Sequence, residues 1–263
     1  MEQGQLNWIA NFIWGIADDM LRDLYVRGKC RDVILPMMVL RRLDAVLEPT
    51  RQAVLGMKAS LDKAGIVHQD MALRQAAGQA FYNTSNFTLR DLRARASQQQ
   101  LRSDFEAYLD GFSPNVQEIF DNFEFRNQIP RLCKADALGT LIEKFLDIAI
   151  NLSPNPVLTA DGSVKHPGLD NHGMGTIFEE LVRRFNEEAG EHWTPRWPWP
   201  CAAHRRDTVV QAAERPGGDS RRHLGGGAGD GGAAGRDHRG RRPVIPGPRT
   251  WDQSSIILAF LVS

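Results

Sequence analysis

Apolar residues recur at three- and four-residue spacing along the first 196 residues of this chain, and the recurrence stops there. Such spacing stacks side chains on one face of a helix. Everything up to Arg196 is therefore constrained to fold as helices packed through their apolar faces. Residues 197–263 follow a different pattern. They hold ten Arg, no Lys, five Asp and one Glu, a formal charge of +4, whereas residues 1–196 carry −4 and all six lysines. Eleven Gly and six Pro also fall in this last stretch, about a quarter of it, which is a low-complexity composition. The zero net charge of the whole chain is an average over these two parts. It rules out a strongly basic nucleic-acid arm or an acidic tail as the basis of function.

The helical part divides as follows. Leu6, Ile9, Ile13, Ile16, Met20 and Leu24 predict a helix over 5–27 with Gly28 as its C-cap. Trp8, Phe12 and Trp14 add apolar surface on its other sides, so this helix is expected between neighbours. Asp32 caps a second helix with Val33, Met37, Leu40, Leu43 and Leu47 as its stripe and Pro36 near its first turn. Pro49 marks a joint, and Thr50 to Lys63 continues helically until Gly65. Residues 69–82 are predicted helical, and Thr88 caps a short helix reaching Ala96. Leu101, Phe105 and Leu109 indicate another, and Ser113-Pro114 opens one that carries Val116, Ile119, Phe120 and Phe123. Residues 136–150 place Leu138, Leu141, Ile142, Phe145 and Ile148 inward. Asn151 to Asp170 is rich in Pro and Gly and reads as a loop. A last helix runs over 171–188 with Met174, Ile177, Leu181 and Phe185 inward, ended by Gly190. No strand pattern or internal repeat precedes residue 196. The expected fold class is all-α: a helical bundle over 1–152, a linker over 153–170, a further helix opening the 171–196 segment, and a largely disordered Arg/Gly/Pro-rich tail over 197–263.

The tail has a genetic reading. Trp has the single codon TGG and every Pro codon is CCN, so Trp197-Pro198-Trp199-Pro200 is encoded TGG-CCN-TGG-CCN. Read two bases later, the same bases give alternating Ala and Leu, Met or Val, a good helix former. A shift of reading frame near Arg196 is therefore the expected origin of residues 197–263, the alternative being a natural Arg/Gly-rich tail.

Several chemistries are excluded or reduced to chance. The longest apolar run, Ile256 to Val262, is far short of the ~20 residues that span a bilayer. The polar start Met1-Glu2-Gln3-Gly4-Gln5 predicts no secretory leader. Cys30, Cys133 and Cys201 are widely separated, which argues against a disulfide framework or a structural zinc site and fits a reducing cytoplasm. Gly227 to Gly232 lacks the flanking strand and helix of a phosphate loop. His204-Arg205-Arg206-Asp207 lacks every partner motif of a kinase catalytic loop, and His204, His223 and His238 fit no metal-ligand spacing. Trp8, Phe12 and Trp14 read as packing residues rather than a base-stacking platform. Arg41-Arg42 and Arg183-Arg184 are expected on polar faces, solvated or facing a partner. No catalytic residue and no metal ligand is assigned.

Three blocks carry a family resemblance. Arg27-Gly28-Lys29 with Arg31-Asp32-Val33-Ile34-Leu35-Pro36 and Leu40-Arg41-Arg42-Leu43-Asp44 resembles the N-terminal helical domain of the M (modification) subunit of type I restriction–modification systems, an adenine-specific DNA methyltransferase. Asn171-His172-Gly173-Met174-Gly175, with Ile177-Phe178-Glu179-Glu180-Leu181 and Arg183-Arg184-Phe185, resembles the family's next block. Gly190 to Arg196 resembles the segment that opens its catalytic domain. In order, the blocks cover residues 5–196 almost continuously.

The resemblance implies a bacterial, cytoplasmic protein. Its relatives assemble with a specificity subunit, a second M subunit and a restriction subunit, and flip an adenine out of DNA to methylate N6 from S-adenosylmethionine. It makes Glu191, His192, Trp193, Thr194, Pro195 and Arg196 one edge of the cofactor pocket, with Thr194 and Pro195 nearest the methionine end. The family's Gly-rich cofactor loop and its Asn-Pro-Pro-aromatic loop are missing, since Asn155-Pro156-Val157 lacks the second Pro and the aromatic. One pocket edge holds a cofactor poorly. The chain is therefore expected to be a truncated methyltransferase subunit without catalysis, the alternative being a helical assembly module that binds the specificity subunit or nucleic acid. The 5–27 and 171–188 helices are expected to present apolar faces that the missing domain would cover.

Overall fold

Helix α1, Gln3–Leu21, buries Leu6, Ile9, Ile13 and Ile16 of the stripe that its spacing predicts, with Leu21 buried beside them and the predicted Met20 and Leu24 half-buried. The structure is a computed structural model and describes residues 2–26, 28–94 and 97–190, all within one compact unit. Among these residues it is mostly helical. After α1 come α2 (Arg31–Leu47), α3 (Arg51–Lys63), α4 (Asp70–Ala77), α5 (Leu89–Arg93), α6 (Gln98–Asp110), α7 (Pro114–Asn122), α8 (Phe125–Lys134) and α9 (Ala137–Phe145). Two short strands follow, β1 (Val157–Leu158) and β2 (Val164–His166), and α10 (Asn171–Glu188) completes the described chain. The all-α reading holds, and the 197–263 tail lies outside the described residues.

α2 is the central element. Val33, Ile34, Leu35, Met37, Met38, Val39 and Leu40 are all buried, so it is apolar nearly all round and needs neighbours on every side. α8, α9 and α10 supply them. α10 also lies along α1. Trp14 stacks on Phe185 with ring centroids 4.8 Å apart, and a Cβ on Gly173 would stand 3.0 Å from Leu6. The two helices thus cover each other's apolar faces, contrary to the expectation that a further domain would be needed to cover them.

The structure differs from the sequence reading at several ends. α1 stops at Leu21 rather than 27, because Tyr25 folds under α8: the Arg131 guanidinium lies 4.3 Å from its ring and donates to the Leu24 carbonyl. Gly28 does not cap α1. It turns the chain into α2 with φ +76°, and any Cβ there would stand 2.5 Å from the Cβ of Ala189. α4 ends at Ala77, five residues early, because Gly78 takes the left-handed cap conformation and Asn83 then bridges to Phe112. The Thr88 helix ends at Arg93; Thr88 caps it as expected, and the Asp91 carboxylate completes a reciprocal box that the sequence reading does not include. α9 ends at Phe145, which leaves Ile148 77% exposed rather than inward. The 151–170 loop contains the β1–β2 hairpin, a pairing too short to leave a periodic signal. The sequence reading predicts no helix over 125–134, although Phe125, Ile129 and Leu132 carry an i, i+4, i+7 stripe there. Pro130 in its middle and the positive φ of Glu124 at its start hide it.

An aromatic cluster closes the core between α6, α7 and α8. Phe105 meets Phe125 edge-on at 6.0 Å, Tyr108 meets Phe112 at 5.3 Å, and Phe120 lies 5.9 Å from Phe112. Edge-to-face packing of this kind adds to plain burial. Replacing the fully buried Phe105 by Ala should cost about 3–5 kcal/mol through the cavity it leaves. Urea unfolding followed by circular dichroism measures this, and a loss below about 1 kcal/mol would mean the cluster is not the core.

Candidate functional site

The residues that resemble a family converge on one place, the junction between α2, the 151–170 excursion and α10. At its centre is Arg42, 3% exposed. Its Nη1 donates to the carbonyls of Leu152 (2.8 Å) and Leu169 (2.7 Å), and its Nη2 donates to Asn171 Oδ1 (2.9 Å). The planar fork of a guanidinium suits this three-way grip, which a lysine ammonium could not reproduce. Burial lowers its pKa to about 10, with the nearby Asp170 opposing that shift, so the group stays charged at neutral pH. The sequence reading placed Arg41-Arg42 on a polar face. Arg42 instead points inward, because buried carbonyls at both ends of the excursion need a donor.

The excursion closes on itself around that grip. Asn151 donates to the carbonyls of Asn155 and Pro167, and the Leu169 amide donates to Ser153. Gly168 packs so tightly on the Pro154 carbonyl that no side chain would fit. Asp170 then caps α10 by accepting from the Gly173 amide at 2.7 Å. Asn171 and Gly173, two residues of the second family-like block, are thus explained physically: one is an acceptor for Arg42, the other a close contact with Leu169 and Leu6.

The far end of α10 is fixed as well. Arg31 donates to Asn186 at 2.7 Å, and Ala189 fits against Gly28. Arg184 donates to Asn11 at 2.8 Å and to Glu180, so it faces α1 rather than solvent. Arg183 stays on the outer side, paired with Glu180 and Glu187. Glu191, His192, Trp193, Thr194, Pro195 and Arg196, the residues assigned to the cofactor edge, lie outside the described residues, as do His204, His223, His238 and Gly227 to Gly232.

A second buried polar pair joins α2 to α6. The Tyr108 hydroxyl donates to Asp44 Oδ1 at 2.8 Å. Burial pushes the Asp44 carboxyl up from its ordinary value, against the opposing pull of the Tyr108 hydrogen bond and Arg41. Burial likewise drives the Tyr108 hydroxyl well up. An acid beside a hydroxyl is catalytic chemistry in an open cleft. Here the adjoining cavity is only about 40 Å³, large enough for water but not for a substrate, so the pair is structural. Among the described residues no three His, Cys, Asp or Glu side chains could hold a metal, and no helix is long and apolar enough to cross a membrane. The strands among the described residues form a short antiparallel hairpin and no parallel sheet.

Two measurements test these buried groups. Arg42→Met strands two buried carbonyls and should cost about 3 kcal/mol, with faster hydrogen exchange at the Leu169 and Gly173 amides. Unchanged exchange there would sink the anchoring role. For Asp44, the folded-state pKa lies above the unfolded one. Protonation therefore favours the fold, fully so below the unfolded value of about 3.8, and the gain is lost as the pH rises through the folded value. The stability difference between wild type and Asp44→Asn should move in favour of wild type as the pH falls from 7 toward 4.

No curated protein and no solved structure matches the chain. The family model of the HsdM N-terminal domain matches residues 9–145, which take in α2 with its Arg42 and most of the helical body. That match covers more than half of the 263 residues, and the chain belongs to the HsdM N-terminal domain family, the helical domain of type I restriction–modification M subunits.

Proposed function

We propose that this chain acts as the assembly domain of a type I M subunit and does not itself transfer a methyl group. One observation carries the reading: the family match covers the helical body, while the sequence holds neither the Gly-rich cofactor loop nor the Asn-Pro-Pro-aromatic loop that methylation of adenine N6 requires. Its partners are the specificity subunit, a second M subunit and, through the assembled complex, the restriction subunit and DNA. The −4 charge of residues 1–196 supports this indirect route, since a domain that bound DNA alone would need a surplus of cations. Its compartment is the bacterial cytoplasm.

In this reading Glu191, His192, Trp193, Thr194, Pro195 and Arg196 are the remnant of a cofactor edge, too small to hold S-adenosylmethionine. The compositional break after Arg196 and the codon arithmetic of Trp197 to Pro200 support a shifted reading frame as its origin. The mutual cover of α1 and α10 supports a body that folds without a catalytic domain.

Co-expression of the full chain with the specificity subunit of its own system tests the proposal. The two should co-purify, and the purified chain should neither bind S-adenosylmethionine in calorimetry nor move a radiolabelled methyl group onto DNA. Failure to co-purify would overturn the assembly role, and measurable methyl transfer would overturn the loss of catalysis. Resequencing the gene across the codons for Arg196 and Trp197 checks the frame separately. A shifted frame that stays open and encodes both missing loops is the expected result.

A further inference from the structure

Trp8 is 47% exposed on α1, and its ring packs against Phe12 with centroids 5.7 Å apart. Beside it is an open hollow of about 170 Å³, bounded by the start of α1, the chain after α9 and the end of the 151–170 excursion. Trp8, Ile9, Ala149 and Pro167 give it apolar walls. Asn151 stands at its polar edge, but the Asn151 amide is spent on the carbonyls of Asn155 and Pro167. An apolar cavity of about 150 Å³ takes a benzene-sized ring. The hollow therefore suits one aromatic side chain and is too small for a folded element.

The sequence supplies such a side chain. Ile256 to Val262 is the longest apolar run of the chain, and Phe260 is its one aromatic residue. Sixty-five residues separate Gly190, the last described residue, from Ile256. At up to ~3.3 Å each they are long enough to reach any point on the helical body. A run carried on the same chain also meets the hollow without the cost of bringing two molecules together. Charge then selects among the exposed apolar groups of the body. Ile66, Val67 and Met71 are exposed on the α3–α4 segment, and residues 51–78 there carry a formal +2. Residues 2–14 and 147–170, which border the hollow, carry −3, and residues 197–263 carry +4. Charge thus draws the tail toward the hollow and away from α3 and α4.

We propose that Ile256 to Val262 of this chain docks on the hollow beside Trp8, with the Phe260 ring seated in it. Ring packing against Trp8 and Ile9 supplies the contact, and apolar surface on the body and on the tail is removed from water together. The contact is a self-mask. Any other chain that takes the hollow must first displace the chain's own apolar run. The proposal depends on which residues the tail carries and not on how they arose, and it makes no use of the specificity subunit. It therefore stands or falls apart from the shifted frame and from the assembly reading.

Hydroxyl-radical footprinting of the full chain, read by mass spectrometry, tests it, because the oxidation rate of a side chain follows its exposure to solvent. Phe260→Asp puts an unpaired charge against apolar walls and should raise the oxidation of Trp8 by at least about threefold. Trp8→Ala removes one wall and should raise the oxidation of Phe260. Met71, 83% exposed on α4, should keep its rate in both variants. Raised salt should increase the oxidation of Trp8 and of Phe260 in wild type, since opposite charges draw the tail in. Trp8 is outside the fully buried core, so the circular dichroism melting curve of Trp8→Ala should stay at wild type. Equal oxidation of Trp8 in wild type and Phe260→Asp would overturn the proposal. So would a change at Met71 in place of Trp8, which would put the run on the α3–α4 segment. Protection that fades on dilution would overturn it as well, since the contact would then join two copies.

Discussion

The grip of Arg42 on three acceptors is the interaction on which the rest of the structure depends. It holds Leu152 and Leu169, 17 positions apart in the chain, at one point on α2, and it takes Asn171 at the start of α10. A buried guanidinium is costly to desolvate and is retained only when its donors are used. That cost makes the junction specific. A path for residues 151–170 that drew these acceptors away would leave the charge unpaired, so the grip favours this path and fixes where α10 begins.

From that origin α10 runs along α1. The pairing of Trp14 with Phe185 and of Arg184 with Asn11 registers the two helices, and Gly28 receives the end of α10 where a larger residue would collide. The helix that follows the linker in sequence is thereby part of the same core as α1 and α2. A family match that ends at residue 145 thus falls within a structural unit that continues through α10. The chemical character of the body follows too. Its perturbed acid–hydroxyl pair, Asp44 with Tyr108, is enclosed and holds helices together.

Much of this was legible in the residues. The stripes of α1, α2, α6, α9 and α10 follow from apolar spacing, because a helix that buries one face writes its period into the sequence. The Thr88 cap and the Pro114 start of α7 were readable because they are local chemistry, whereas α2 begins at Arg31 without a cap from Asp32, and the Ser113 hydroxyl accepts from the Tyr82 amide instead of capping α7. The ends of α1 and the existence of α8 were not readable. Tyr25 leaves the helical path to meet Arg131, more than 100 residues away, and α8 tolerates Pro130 because packing of Phe125, Ile129 and Leu132 outweighs the lost hydrogen bond.

By itself, the sequence determined the class of fold, the order of most helices, the family blocks and the break after Arg196, all of which depend on residues close together in the chain. Only the tertiary structure decided that Arg42 is buried rather than solvated and that α1 and α10 satisfy each other. The reason is physical. A local pattern records which face of an element is apolar, but whether a charged side chain finds buried acceptors depends on carbonyls brought together from distant parts of the chain, which no local pattern encodes.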